Sequence, residues 1–484
     1  MIRFILMSRL LSLPMLWMGV IQLIFAELSH YLFQDGVTKG FLTSALITIA
    51  CSLAVLFGAR KYRFSSVNTK EAILFAVLTW ISVGLLGAVP IYSITQVSWT
   101  DAVFESISAL TTTGATILSG LDSMPKSFLM YRQFLQWMGG LGVVIFVVAV
   151  LPMLNIGGMR LLKAETVGPV KDVKLTPRVK NTAHYLWYVY LLITVACAMS
   201  YWLAGMSTYD AIAHSLTTVS TGGFSTHDAS MGYFESSLIL WVSCIFMALG
   251  AISFSLHYRV VAGKRLALYW KDEECRWFLL IALFFSLLVM QQLLQFSDET
   301  HVLKALTQAT FHVLSFMTST GYGAGDFTQW QGASIILLLV VGYIGGCAGS
   351  TAGGNKVVRN IISFKAILLE VKQLIHPSAV FTMRYQGRPV NEQIRHSVMA
   401  FMCLAALTTI LLTLLLMLTG VDFFSALSGV AACLNVLGPG FGELGNNFSP
   451  LTDVATWLLS FTMILGRLEY FTVIAIFTPY LWRA

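Results

Sequence analysis

Thr318-Ser-Thr-Gly-Tyr-Gly323 is a short run of small residues between apolar stretches. The chain holds three more runs in the same setting: Thr111-Thr-Thr-Gly-Ala-Thr116, Val219-Ser-Thr-Gly-Gly-Phe224 and Asn435-Val-Leu-Gly-Pro-Gly440. Aligned on Gly114, Gly222, Gly321 and Gly438, they lie 108, 99 and 117 residues apart. Each follows about three helical turns of semi-apolar sequence and precedes a long apolar run. Four copies within one polypeptide can surround one axis.

The composition around these runs sets the class. The 484 residues are 57% hydrophobic and 11% charged, with a mean hydropathy of +0.76, whereas soluble domains carry about 25% charged residues. Residues 43–57, 134–153 and 401–418 hold no charge at all, and about 20 apolar residues span a bilayer as a helix. The expected fold class is therefore an all-α polytopic membrane protein embedded in the lipid bilayer. A transmembrane β-barrel would alternate apolar and polar residues over segments of about ten, and no such alternation is visible. Arg3 and Arg9 precede an apolar run without a signal-type cleavage site, so it reads as a retained first span. The formal net charge of +7 sits in short inter-span loops, which argues against a nucleic-acid partner. The seven cysteines (51, 197, 244, 275, 347, 403 and 433) form no C-x-x-C pair and read as small core residues.

Hydropathy predicts ten spans, at about 3–27, 37–58, 71–95, 128–153, 182–204, 234–261, 276–296, 332–363, 394–419 and 452–479. Helical pieces near 101–112, 209–220, 303–319 and 422–436 are too short to cross and suggest re-entrant helices. The expected plan is two extra N-terminal spans (1–65), then four units of span, short helix, glycine segment and span (66–158, 176–265, 270–378 and 390–484). Of the 30 Lys and Arg, 25 fall on one side of this topology, including Arg160, Lys163, Lys171, Lys174, Arg178, Lys180 and the run from Lys356 to Arg395. The positive-inside rule then makes both termini cytoplasmic and opens the glycine segments outward.

Irregular backbone at membrane depth persists only within protein or beside water. Glycine segments at the ends of inward-running helices meet that condition if they line a pore. Their carbonyls, with hydroxyls of the preceding Thr and Ser, can replace the hydration shell of a cation. The helix C-termini add about half a negative charge each. Asp101, Asp210 and Asp422 suit the helix starts, and the third unit offers Thr300 with Asp298 and Glu299 nearby. The expected ion-binding residues are Thr111, Thr112, Thr113 and Gly114; Ser220, Thr221 and Gly222; Thr318, Ser319, Thr320 and Gly321; and Asn435, Val436, Leu437 and Gly438. The competing reading, glycines that only allow close helix packing, is weakened by four matched copies. Gly349-Ser-Thr-Ala-Gly-Gly-Asn-Lys356 departs from a phosphate loop because Asn355 stands where the Lys should be.

The second span of the third unit is interrupted. Gly342, Gly345, Gly346, Gly349, Gly353 and Gly354, with Ser350 and Thr351, fall within fourteen residues, and each Gly costs a helix about 1 kcal/mol relative to Ala. Such a stretch could form a loop beneath the filter; a close-packed helix crossing is the alternative. Arg467 lies deep in an apolar span, where an ionisable residue is costly and functional by default. It is expected to face the cavity under the filter and oppose ion passage; the alternative is an interhelical salt bridge. Glu469, two residues on, lies off its face, so each is expected to have its own partner. His214 and His312 are expected to bond behind the filter rather than bind metal, and no transition-metal site is expected.

The repeated span–short helix–glycine–span plan resembles the TrkH/KtrB/HKT superfamily of K⁺ transport proteins over essentially the whole chain. The two extra spans, Asn435-Val-Leu-Gly-Pro-Gly-Phe-Gly442 and Gly466-Arg-Leu-Glu469 are similar to its TrkH branch. The resemblance implies potassium uptake with K⁺ as bound substrate (Rb⁺ also accepted), no organic cofactor, and a homodimer with one pore per protomer. It also implies a bacterial inner-membrane location, an intramembrane gate loop, and gating by a cytoplasmic nucleotide-binding ring of the TrkA type. A K⁺/H⁺ or K⁺/Na⁺ symporter on the same scaffold is the second reading. An intramembrane enzyme is not expected, because the spans lack paired carboxylates, H-E-x-x-H or an activated Ser. Val436 and Leu437 leave the fourth segment without hydroxyls, so only moderate K⁺/Na⁺ discrimination is expected.

Overall fold

The computed structural model describes residues 3–60, 68–150, 179–296 and 301–482. Among these, helices account for nearly all regular structure, and a small hairpin pairs Arg384–Tyr385 with Arg388–Pro389. Phe4–Glu27 and Thr38–Gly58 pack together ahead of the repeating part. Four units then follow, each with a first span, a short helix and a second span. They are Thr69–Thr95, Trp99–Thr111 and Lys126–Val150; Val179–Leu203, Thr208–Val219 and Ser237–Ala251; Glu273–Phe296, Val302–Met317 and Ser334–Ile344; and Glu392–Met417, Phe423–Leu434 and Asp453–Arg467. Six of the described helices are long and apolar enough to cross a membrane, and two sharply bent pairs could each supply one more. The basic loop near 157–181 falls almost wholly outside the described residues, as do Lys61, Arg63, Asp298, Glu299 and Thr300.

The second spans differ from expectation. Only the third was expected to break, yet each of the four departs from a straight helix. Ser237–Ala251 turns by 98° into Phe254–Gly263, and Asp453–Arg467 turns by 117° into Tyr470–Phe477. Lys126–Val150 is interrupted at Gly142 (φ 88, ψ 145), and in the third unit residues 345–356 form a loop before Val357–Ile375. The cause lies in how these spans meet the short helices. A Cβ on Gly139, Gly250 or Gly466 would lie 1.7, 2.9 or 2.1 Å from the carbonyl oxygen of Leu110, Val219 or Leu434, each in the last turn of its unit's short helix. The spans therefore approach backbone to backbone and then turn aside. No glycine cluster marks Ile252 or Leu468, and Arg467 and Glu469 stand in otherwise apolar sequence, so hydropathy joins the halves into one span.

Capping sets where three short helices begin. Ser98 accepts from the Asp101 N–H, Ser207 from the Asp210 N–H, and Asp422 from the Phe424 and Ser425 N–H groups. Asp422 is thus a cap as expected, while Asp101 and Asp210 sit in the first turn, where a negative charge favours the helix dipole. Buried side chains form two cores. One joins the two leading helices to the first and fourth units, and the other joins the second and third units, with Leu437 and Phe441 reaching across.

Candidate ion filter and the loop beneath it

Each short helix ends in the same backbone turn. Thr112, Thr221, Ser319 and Val436 take left-handed φ of 59, 54, 55 and 57°. Their N–H groups donate to Ala109, Thr218, Phe316 and Cys433, three residues back. Two residues after each comes a positive-φ glycine: Gly114, Gly223, Gly321 and Gly438. Left-handed backbone is strained for β-branched Thr and Val and persists only where surroundings over-determine it. Alternating handedness also turns successive peptide groups to one side, as ion-binding backbone requires.

This geometry corrects the alignment of the second segment by one residue. Gly223, not Gly222, matches Gly114, Gly321 and Gly438, and Gly222 takes the place of Thr113, Thr320 and Leu437. The hydroxyl pattern changes with it. Thr111 and Thr113 share a 2.7 Å hydroxyl bond, and Thr318 and Thr320 share another at 2.7 Å. The second and fourth segments place Gly222 and Leu437 at that level, so two segments depart from the hydroxyl pattern rather than the fourth alone.

The four segments close into a ring. A Cβ on Gly114 would lie 2.2 Å from the Gly222 carbonyl oxygen, one on Gly223 1.8 Å from that of Thr320, one on Gly321 2.1 Å from that of Leu437, and one on Gly438 2.7 Å from that of Thr113. Each segment thus touches the next, and the fourth touches the first. Glycine is required at these positions for space as well as for φ.

Side chains behind the ring hold it. Glu105, His214 and His312 occupy the same place on three short helices, about two turns before the left-handed residue. Glu105 accepts from the Thr116 hydroxyl and the Ile117 N–H, and pairs with buried Arg132. The two ring nitrogens of His214 meet the Asp210 carbonyl and the Ser225 hydroxyl, each at 2.9 Å. His312 Nε2 accepts from the Ala324 N–H at 3.2 Å. In the fourth unit Ser428 accepts from the Phe441 N–H, and Ser425 from the Glu443 N–H. Gln136 braces the second segment at two points: its amide donates to the Gly222 carbonyl, and its oxygen accepts from the Phe224 N–H. Glu105, Arg132 and Gln136 escaped the sequence reading; a carboxylate and a guanidinium within apolar helices were the available signal.

Residues 345–356 lie directly under the ring; Gly342 is still helical. The Thr351 hydroxyl donates to the Val219 and Gly250 carbonyls at 3.1 and 3.0 Å. The Gly353 N–H donates to the Ser319 hydroxyl at 2.5 Å, and the Gly354 N–H to the Asn435 carbonyl at 3.1 Å. Arg467 completes the belt, donating to the Thr351 carbonyl at 2.9 Å and to the Gly139 and Gly140 carbonyls at 2.7 and 2.9 Å. The loop is thus tied to the second, third and fourth units directly and to the first through Arg467. Glu469 pairs instead with Arg359 at 2.8 Å, so the two residues of the Gly466–Glu469 motif have separate partners.

His227 joins the loops that follow the glycine segments of the first two units. Its Nδ1 meets the Asp122 carboxylate at 2.5 Å, its Nε2 lies 3.4 Å from Asp210, and its ring stacks on Tyr233. Burial disfavours the charged ring, but the two carboxylates outweigh it and raise the His227 pKa above its ordinary value.

The TrkH family model, described as a cation transport protein, matches residues 38–482. The chain is 43% identical over 457 residues to the Trk system potassium uptake protein TrkH of Vibrio parahaemolyticus, covering 94% of each. It is 38% identical to TrkG of Escherichia coli K12, covering 98% of this chain and 96% of TrkG. The crystal structure of the potassium transporter TrkH from Vibrio parahaemolyticus superposes with a TM-score of 0.89 at 40% identity, covering 100% of both chains.

Proposed function

The chain belongs to the TrkH family of cation transport proteins, and from that premise we propose that it takes up K⁺, and also Rb⁺, by conduction through the ring. The observation that carries this reading is the closed ring itself, in which a glycine of each strained segment abuts a backbone carbonyl of the next. Carbonyls held there replace the hydration shell of a K⁺ ion. The C-terminal ends of the short helices add partial negative charge below it. With hydroxyl pairs on two opposite segments only, the ring is two-fold rather than four-fold in its side-chain ligands, which favours moderate K⁺/Na⁺ discrimination.

The loop 345–356 is the gate, and Arg467 sets a positive charge under the filter, raising the barrier to a cation while the loop is in place. We assign the gating stimulus to a cytoplasmic nucleotide-binding ring of the TrkA type, acting on a homodimer in the bacterial inner membrane with both termini cytoplasmic. The basic cytoplasmic loops support that orientation.

The test is ion flux into liposomes holding the purified chain. Selective Rb⁺ influx with a reversal potential set by K⁺ alone supports conduction. A reversal potential that moves with pH or Na⁺ would replace it with coupled symport, and absence of K⁺ or Rb⁺ flux with and without the partner ring would overturn the reading.

A further inference from the structure

The gate loop leaves and rejoins its helices at a narrow neck. The Asn355 N–H donates to the Tyr343 carbonyl and the Val357 N–H to the Gly346 carbonyl, both at 3.0 Å. A Cβ on Gly345 would lie 2.8 Å from the Gly354 Cα, so the two arms touch through backbone. Beside the neck, in the first turn of Glu273–Phe296, sits Glu274, only 7% exposed. One of its carboxylate oxygens, Oε1, accepts from the Ala348 N–H at 2.7 Å and from the Val358 N–H at 3.2 Å. It thus spans the descending arm of the loop and the first turn of the helix that follows. That turn carries unsatisfied amides and a positive dipole end, both of which favour a carboxylate.

Neighbouring residues fix where Glu274 stands. Asp272 caps the turn by accepting from the Cys275 N–H at 3.1 Å. Glu273 pairs with Lys365 and accepts from the Gln386 N–H at 2.7 Å, which ties the turn to the hairpin of residues 384–389.

We propose that Glu274 is the positioning residue that holds the gate loop closed, by clasping the loop at Ala348 and the helix that follows it at Val358 with one buried carboxylate. The inference rests on the reading of residues 345–356 as the gate. Outward or sideways movement of the loop must separate Ala348 from Val358 and so break at least one of the two charge-assisted bonds. These bonds are roughly twice as strong as neutral ones, so the clasp favours the closed loop without touching the filter.

The experiment compares wild-type chain with E274Q and V358P in liposomes without any partner. E274Q replaces the carboxylate with a neutral acceptor of the same size. V358P removes one donor from the other side, at a first-turn position whose N–H has no partner within its helix. The expected result for E274Q is partner-independent Rb⁺ influx raised by about tenfold, as loss of one charge-assisted bond implies. V358P should give a smaller rise, with the KM for Rb⁺ unchanged in both. A second readout is the native thiol Cys347, 1% exposed within the loop. Its alkylation, followed by mass spectrometry of its own peptide, should accelerate in both variants. A merely structural role would lower thermal stability without raising flux.

Folded E274Q with wild-type flux and wild-type Cys347 labelling overturns the proposal. If E274Q does not assemble, V358P decides by the same two readouts. A variant lacking residues 347–352 separates the two levels. High flux from it with no effect of E274Q or V358P sinks the Glu274 assignment alone, whereas no gain of flux from it sinks the gate reading on which that assignment rests.

Discussion

At the scale of single residues, space and backbone strain dominate. Gly114 has φ 81 and no room for a Cβ, which would meet the Gly222 carbonyl at 2.2 Å. Gly114→Ser must therefore push the first and second segments apart. Its expected effect is a lower K⁺/Na⁺ permeability ratio in bi-ionic potential measurements; an unaltered ratio counts against the filter assignment. His227 gives the clearest pH dependence. Because its folded pKa is raised, its contacts with Asp122 and Asp210 stabilise these loops below the unfolded value of about 6.5. They weaken as pH rises through the raised folded value. Tyr233 stacks on the ring, Asp228 is adjacent in sequence, and His214 lies parallel at 6.4 Å. Thermal unfolding in detergent should show stability falling from mildly acid to alkaline pH, and His227→Gln should flatten that slope. The bonding of the histidines behind the ring was legible as a class, since His214 and His312 stood in apolar short helices. The role of Glu105 was not, because its partners Thr116, Ile117 and Arg132 come together only when the segment folds back along its helix.

At the scale of elements, the contact between short helix and second span recurs in each unit. Its tightest described cases, Gly139 and Gly466, abut carbonyls of Leu110 and Leu434. Gly466→Ala would set a Cβ 2.1 Å from the Leu434 oxygen, and overpacking of this kind costs about 1–3 kcal/mol. The expected outcome is a lower Tm in detergent, together with altered gating because Gly466 adjoins Arg467. An unchanged Tm would mean that the two helices are free to separate. The broken third span was readable because six glycines in fourteen residues cannot favour a helix. The breaks at Ile252 and Leu468 were not, since they arise where a span presses on a neighbouring backbone and then turns away.

At the scale of the whole molecule, the second, third and fourth units meet the loop 345–356 directly, and Arg467 carries the first unit into the same network. Arg467→Ala removes a positive charge and three backbone contacts at once. Its expected effect is a several-fold rise in K⁺ flux in reconstituted vesicles, and unchanged flux would end its role as a barrier. By itself the sequence determined the membrane class, the four-fold plan, the expected sidedness, the site of the broken third span and the cost of a buried Arg467. These follow from hydropathy, charge and composition, which act locally along the chain. Only the tertiary structure decided which glycine of Gly222-Gly223 matches the other three. Both residues tolerate left-handed backbone, and the choice is made by the Thr320 carbonyl, 97 residues along the chain, which leaves no room for a Cβ at Gly223. It also decided the two-fold pattern of hydroxyls and the clasp at Glu274, because both depend on atoms from distant units arriving within hydrogen-bond reach.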